Sequence, residues 1–125
     1  MADSLAVGEH WEKQALEHLL AKGLEPIEEN FRCRMGEIDL IMLEGDCLVF
    51  IEVRYRRHSR FATAAESVDG MKQRKLIRTA AAYLANNPQY HALPVRFDVI
   101  AIEDIDTPRA HYEWIKGAFD ADSAY

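Results

Sequence analysis

Two apolar, β-prone runs joined by a tight turn restrict this chain more than any other feature. Residues 37–43 and 47–54 flank Glu44-Gly45-Asp46, and both runs are dominated by Ile, Leu, Val and Phe. A Gly-Asp turn between such runs signals a β-hairpin. So apolar a hairpin belongs inside a sheet. The turn also sets register. A two-residue loop of Gly45 and Asp46 pairs Glu44 with Cys47, and a four-residue loop gives the same result. Asp39 then lies opposite Glu52, and Glu37 opposite Arg54. Residues opposite each other share a face, with Cβ atoms ~4.5–5.5 Å apart. One face therefore carries Glu37, Asp39, Glu52 and Arg54 at the end far from the turn. The other carries Ile38, Leu40, Met42, Val49, Ile51 and Val53, and reads as core.

Like charges placed directly opposite destabilise a sheet, so Asp39 against Glu52 needs a reason. One carboxylate could hold a proton, its pKa raised by its neighbour. A basic side chain such as Arg54 could neutralise the pair. A divalent cation could sit between them, and hard carboxylate oxygens suit Mg²⁺ or Mn²⁺. The plain alternative is that this end of the face is wet. An odd-length loop or a bulge would also move Asp39 off Glu52.

Around the hairpin the pattern predicts further elements. Residues 5–22 form a helix, capped by Asp3 or Ser4 and ended at Gly23, with Trp11, Ala15, Leu16, Leu19 and Leu20 on one face. Residues 25–34 are extended, and Pro26 suggests an edge strand or a strand start. Residues 57–69 form a loop, free to move until a ligand orders it. Residues 70–86 form a second helix, capped by Ser67 or Asp69, burying Leu76, Ile77, Ala80, Tyr83 and Leu84 and stopped by Asn86-Asn87-Pro88. Residues 95–102 form a fourth strand, and 111–115 a short fifth. The order is α-β-β-β-α-β with a tail. No repeat or linker interrupts it, so one domain spanning residues 1–125 is expected, an α/β fold with a mixed central sheet.

Composition narrows the function classes. At 125 residues, 49% hydrophobic and 29% charged, the chain can bury a core without staples. Two cysteines, Cys33 and Cys47, are too few for a disulfide framework. They read as buried thiols. No apolar run approaches the ~18 residues of a membrane span, and the first residues lack a signal-peptide pattern. These features point to a reducing cytoplasm and no membrane partner. The net charge of −6 argues against a general phosphate-backbone binder. Its distribution does not. Residues 54–78 carry eight bases and two acids, against seven acids and two bases in residues 1–30. A solvated face is the common meaning of such a run. A phosphate-facing patch on an acidic body is the sharper one. Arg54, Tyr55, Arg56, Arg57, His58, Arg60 and Phe61 follow the acidic pair directly, and basic residues interleaved with aromatics suit a phosphate track. Lys72, Arg74, Lys75 and Arg78 lie on the next helix, where Lys75 and Arg78 share a face.

Asp39, followed after the hairpin turn by Glu52-Val53-Arg54, resembles the D…(E/D)-x-K signature of the restriction-endonuclease-like superfamily, and the αβββαβ order is that superfamily's core. More specifically, the chain resembles the YraN-like family of small uncharacterised bacterial proteins. The matching segments are Gly8-Glu9, Asn30, residues 34–41, residues 49–54, Lys72-Gln73, Ala81, Tyr83-Leu84 and residues 96–99, within a resemblance running from Gly8 to Ala118. It implies a Mg²⁺-dependent endonuclease-type site. Asp39 and Glu52 would bind the metal, with the Val53 carbonyl as a further ligand. Glu9 looks like the first-helix Glu that archaeal-type Holliday-junction resolvases add to the site. The metal would activate water and stabilise charge at a phosphate. The departure is Arg54, where the superfamily has Lys. Arg stays protonated and cannot take a proton from water, but it can hold a phosphate. Lys72 and Gln73 could substitute from the second helix.

The implied partner is nucleic acid, DNA first, with branched and single-stranded forms included. A two-fold homodimer would follow by analogy with resolvases. A non-cutting nucleic-acid-binding module of the same fold is one alternative, and a protein–protein adaptor is another. Among the remaining residues, Arg96 and Asp98 read as a structural pair. His10 and His18 read as helix-surface residues. Trp11 and Trp114 read as core or interface.

Overall fold

The computed structural model describes residues 4–57 and 63–121. Helix α1 (Ser4–Ala21) is followed by strands β1 (Glu25–Cys33), β2 (Gly36–Glu44) and β3 (Cys47–Tyr55), helix α2 (Gly70–Ala85), and strands β4 (Val95–Glu103) and β5 (His111–Phe119). The strands form one sheet in the order β1-β2-β3-β4-β5. Neighbours are antiparallel except β3 and β4, which run parallel. A parallel step needs a long crossover, and α2 supplies it. This is the αβββαβ core expected of a restriction-endonuclease-like α/β fold, extended by β5. Among the described residues no helix is long and apolar enough to cross a membrane.

Local chemistry explains the boundaries. α1 closes with Leu24 N–H bonded back to the Leu19 carbonyl and Gly23 N–H to that of Leu20. Asp69, not Ser67, caps α2, its carboxylate accepting from Lys72 N–H at 3.0 Å. Ser67 is occupied elsewhere, donating to the Ala64 carbonyl. Pro26 sits on the outer strand β1, next to a bulge between Pro26 and Glu28.

Both faces of the sheet are covered, which is why β2 and β3 read as near-continuous apolar runs. On one face Ala15 and Leu19 of α1 pack over Leu40, Met42, Val49, Ile51, Ile100 and Ile102. On the other, Leu76, Ala80 and Tyr83 of α2 pack over Ile38, Ile41, Leu48, Phe50 and Phe97. Each fully buried aliphatic side chain contributes ~1.5–3 kcal/mol.

The structure corrects several expectations. Ile38 belongs to the α2 side and not with Leu40 and Met42, so the alternation of β2 changes at Asp39. Leu20 is 40% exposed, off the buried stripe of α1. Ile77 and Leu84 are only half-buried beside the core. Cys33 is exposed at the end of the outer strand β1, and Cys47 is half-buried. His18 is not simply a surface residue. It stacks on Tyr112 with ring centroids 4.9 Å apart.

Strand β5 runs four residues beyond Ile115. Lys116-Gly117 looks like a stop, but Asp98 holds the chain there. Its fully buried carboxylate accepts from Arg96 Nε (2.8 Å) and Nη2 (2.9 Å), Trp114 Nε1 (2.8 Å) and Gly117 N–H (3.0 Å). Gly117 adopts φ +60°, and Phe119 continues to stack on Phe97. Arg96 and Asp98 are thus a structural pair, as expected.

Candidate functional site

The β2–β3 ladder follows the expected register from Glu44/Cys47 to Leu40/Ile51. It does not continue to Asp39 and Glu52. There the Asp39 carboxylate takes over, accepting the Val53 N–H at 2.8 Å. A side chain bonded where a backbone carbonyl would otherwise bond pulls Asp39 into the sheet. This accounts for its burial at 9% exposure and for the change of face at Ile38. Glu52 points to the same place and accepts from Arg54 Nη2 at 2.7 Å. Arg54 therefore pairs with Glu52, one of the neutralisations the sequence offered for the acidic pair, while Glu37, opposite it in the expected register, has another partner. Glu37 is held by Arg32 at 3.0 Å across the β1–β2 pair.

These residues open onto a cleft of about 280 Å³ between the sheet end and α2. Glu12, Glu37, Asp39 and Glu52 bring carboxylates to it, and Arg54, Lys72 and Lys75 bring cations. Glu12 comes from α1 and is hydrogen-bonded to Asp39, as is Glu52. Burial pushes the Glu52 carboxyl up to about 9, and its bond to Asp39 and that residue's charge push the same way, while Arg54 opposes them. Burial and then the Asp39 charge raise Glu12 to about 7. Groups this close titrate together, so the cluster holds at least one shared proton at neutral pH. Arg54 Nε is buried without a hydrogen-bond partner. An unmet buried donor costs ~1–3 kcal/mol.

Of the residues singled out from sequence, the structure brings Asp39, Glu52, Val53, Arg54, Lys72 and Lys75 together on this cleft. Others stand elsewhere. Glu9 lines an adjoining cavity of about 240 Å³ with Glu12, Asn30, Arg32 and Tyr55. Gln73 turns away, donating to the Val68 carbonyl and facing β4 and β5. Arg56 donates to the Thr63 carbonyl, and with Arg57 it lines a separate cavity beside the first turn of α1. His58, Arg60, Phe61 and the middle of the 57–69 loop lie outside the described residues.

Sequence reasoning missed Glu12, although a signal was present. It precedes Ala15 by three and Leu19 by seven, so it stands on the buried stripe of α1. A carboxylate on a buried stripe is an anomaly that asks for a partner. Among the described residues no three His, Cys, Asp or Glu side chains form a ready-made metal cage. What the cleft offers is a pair of hard-oxygen donors, the Asp39 and Glu52 carboxylates, with cations facing it.

Compared with known proteins, residues 11–102 match the uncharacterised protein family UPF0102. A UPF0102 protein of Pseudomonas fluorescens is 43% identical over 114 residues, spanning 91% of this chain and 93% of the relative. One from Alcanivorax borkumensis is 46% identical over 112 residues, 90% of each. One from Stutzerimonas stutzeri is 45% identical over 121 residues, 97% of this chain and 100% of the relative.

Proposed function

This chain belongs to the uncharacterised protein family UPF0102, the family its motifs resemble, and we propose that it is a nucleic-acid-binding protein with a Mg²⁺-dependent endonuclease-type site. One observation carries the reading: the carboxylates of Asp39 and Glu52 and the cations of Arg54, Lys72 and Lys75 share a single cleft. Carboxylates alone would suit a cation, and Arg and Lys alone would suit an anion. Both together suit a phosphodiester bound alongside a divalent metal.

The donor set fits Mg²⁺ or Mn²⁺. Asp39 and Glu52 with the Val53 carbonyl would hold the ion, and Mg²⁺ keeps several waters when few protein ligands are offered. The carboxyls of Glu52 and Glu12 are raised first by burial and then by Asp39 beside them, and a bound cation would favour their charged forms. When bound, the ion supplies an activated water and charge stabilisation at the scissile phosphate. Glu12 and Glu9 add negative charge on the α1 side. A guanidinium does not serve as a general base, so the part of Arg54 is to bind the phosphate and steady developing charge. Lys72 and Lys75 face the carboxylates from α2 and hold the adjoining backbone. Arg56 and Arg57, just past the end of β3, would extend the track, and His58 and Arg60 follow them in the sequence. A cytoplasmic site of action suits two free thiols.

Arg54 in the position of the superfamily's Lys favours one second reading, a module that binds nucleic acid by the same cleft without cutting it. The experiment that tests the proposal is calorimetric titration of Mg²⁺ and Mn²⁺ into the protein and into Glu52→Ala, with and without oligonucleotide. Metal binding that the variant loses supports the carboxylate site. Cleavage of branched, single-stranded or duplex substrates then separates the two readings. No metal binding in either condition overturns the nuclease reading.

A further inference from the structure

Resting on the nucleic-acid reading above, we infer that the cavity between the first turn of α1 and the end of β3 binds one nucleotide, its base against Tyr55 and its phosphate on Arg57. The cavity encloses about 360 Å³ and is lined by Ser4, Val7, Tyr55, Arg56, Arg57 and Ile105. That volume falls within the ~300–1,000 Å³ of small-molecule sites. Its charge sets it apart. The chain carries 21 acidic and 15 basic residues. Glu12, Glu37, Asp39 and Glu52 line the cleft, and Glu9, Glu12 and Glu37 line the cavity adjoining it. Here two guanidiniums meet no carboxylate among the lining residues. A concave site of one sign concentrates ligands of the other.

Paired backbone holds the walls. Arg56 N–H donates to the Ile102 carbonyl at 3.0 Å, and the Arg56 carbonyl accepts from Ile105 N–H at 3.3 Å. These bonds tie the end of β3 to the exit of β4 and bring Ile105 beside Arg56. Tyr55 is set from the α1 side. A Cβ added at Gly8 would lie 3.1 Å from its Oη, so the bare Gly8 lets the phenol reach the helix. Arg56 Nη1 donates to the Thr63 carbonyl at 2.9 Å, whereas Arg57 is exposed. The chemistry of this lining selects the occupant. A guanidinium holds phosphate through paired donors. An aromatic ring takes the flat face of a base, and Val7 and Ile105 exclude water around it. A bare phosphate would use only the cations, and an apolar molecule only the walls. A nucleotide uses both. Ser4 and Tyr55 also line the cavity adjoining the cleft, which shares Glu12 and Glu37 with the cleft itself. The nucleotide has two possible sources, a free mononucleotide and the end of a strand.

The test follows the backbone amide signals of the isotope-labelled full chain by nuclear magnetic resonance, with calcium in place of magnesium. Deoxyadenosine monophosphate, deoxyadenosine and inorganic phosphate are titrated in turn. The nucleotide should shift the signals of Val7, Tyr55 and Ile105 and bind at least tenfold more tightly than the nucleoside or phosphate. Arg57→Gln and Val7→Glu, both at positions the fold leaves accessible, should each weaken it at least tenfold while the rest of the spectrum stays as in the wild type. A single strand of about 10 nucleotides with a terminal phosphate then separates the sources. Tighter binding than the free nucleotide assigns the pocket to a strand end, and equal or weaker binding assigns it to a mononucleotide; either result keeps the proposal. Phosphate that binds as tightly as the nucleotide overturns it. So does a nucleotide that moves only the signals of Asp39 and Glu52, and so do variants of wild-type affinity. The proposed function is read separately: Asp39 and Glu52 signals that move with the strand leave it standing when the pocket fails. A wild-type protein that binds neither nucleotide nor strand overturns both.

Discussion

Replacing Glu52 by Gln should flatten the pH dependence of stability in the metal-free protein. The carboxyl is raised from 4.5 to about 9 in the folded state by burial and by Asp39. A raised acid stabilises the fold fully below its unfolded pKa, where both states carry the proton-bound form. That contribution is lost as pH climbs from 4.5 towards 9, because the folded state must keep a proton that the unfolded state has released. The steepest loss is ~1.4 kcal/mol per pH unit, an upper bound of ~4 kcal/mol between pH 5 and pH 8. Asp39 and Glu12 share the titration, and Arg54 at 2.7 Å opposes it, so about half of that, ~2 kcal/mol, is expected at Glu52. Gln keeps the shape, can accept from Arg54 and can donate to Asp39. Glu52→Gln should therefore match the wild type near pH 5 and exceed it by ~2 kcal/mol at pH 8, a difference of roughly 6–10 °C in Tm for a chain of this size. Thermal unfolding followed by circular dichroism in EDTA, at pH 5, 6, 7 and 8, measures this. Parallel curves for the two proteins would refute the claim that Glu52 is held protonated by its surroundings.

Three further outcomes are expected. Asp98→Ala strips the acceptor from four donors around a fully buried carboxylate and leaves Arg96 without its bidentate partner. It should cost ~3–5 kcal/mol in urea unfolding, and a loss under ~1 kcal/mol would show that β5 does not depend on it. Gly36→Ala forces a Cβ to 2.9 Å from Thr79 Oγ1 at φ +148°. It should destabilise by ~1–3 kcal/mol and displace Lys75 from the cleft, and a variant with the wild-type Tm would disprove the close approach. Arg56→Glu/Arg57→Glu should weaken oligonucleotide binding at moderate salt and lower the slope of log affinity against log salt by about two. An unchanged slope would remove these residues from the track.

Much of the site was legible before the fold. Asp39 and Glu52 stand on one hairpin, joined by Gly45-Asp46, so two neighbouring strands and one turn were enough to bring them together. Their chemistry was legible too, since opposed carboxylates in an apolar sheet already ask for a proton, a cation or a metal. Glu12 was harder to see. It reaches the cleft from a helix 27 residues before Asp39, and nothing local says over which end of the sheet that helix lies. The choice between Lys75 and Gln73 was equally hidden. Both are polar residues early in α2, and only its rotation against β2 turns Lys75 towards Glu52 and Gln73 towards β4 and β5.

By itself, then, the sequence determined the elements, the hairpin register up to Leu40 and Ile51, the choice of cap down to Ser67 or Asp69 and the identity of the acidic pair. These follow from residue periodicity, turn residues and caps, which act between neighbours. Tertiary structure alone decided that Ile38 faces α2, that β5 continues past Gly117 and that Glu12 joins Asp39. Each of these is a competition for a hydrogen bond or a buried surface between segments far apart in the chain. The Asp39 carboxylate takes the Val53 N–H, and the Asp98 carboxylate takes that of Gly117. No local pattern names the winner.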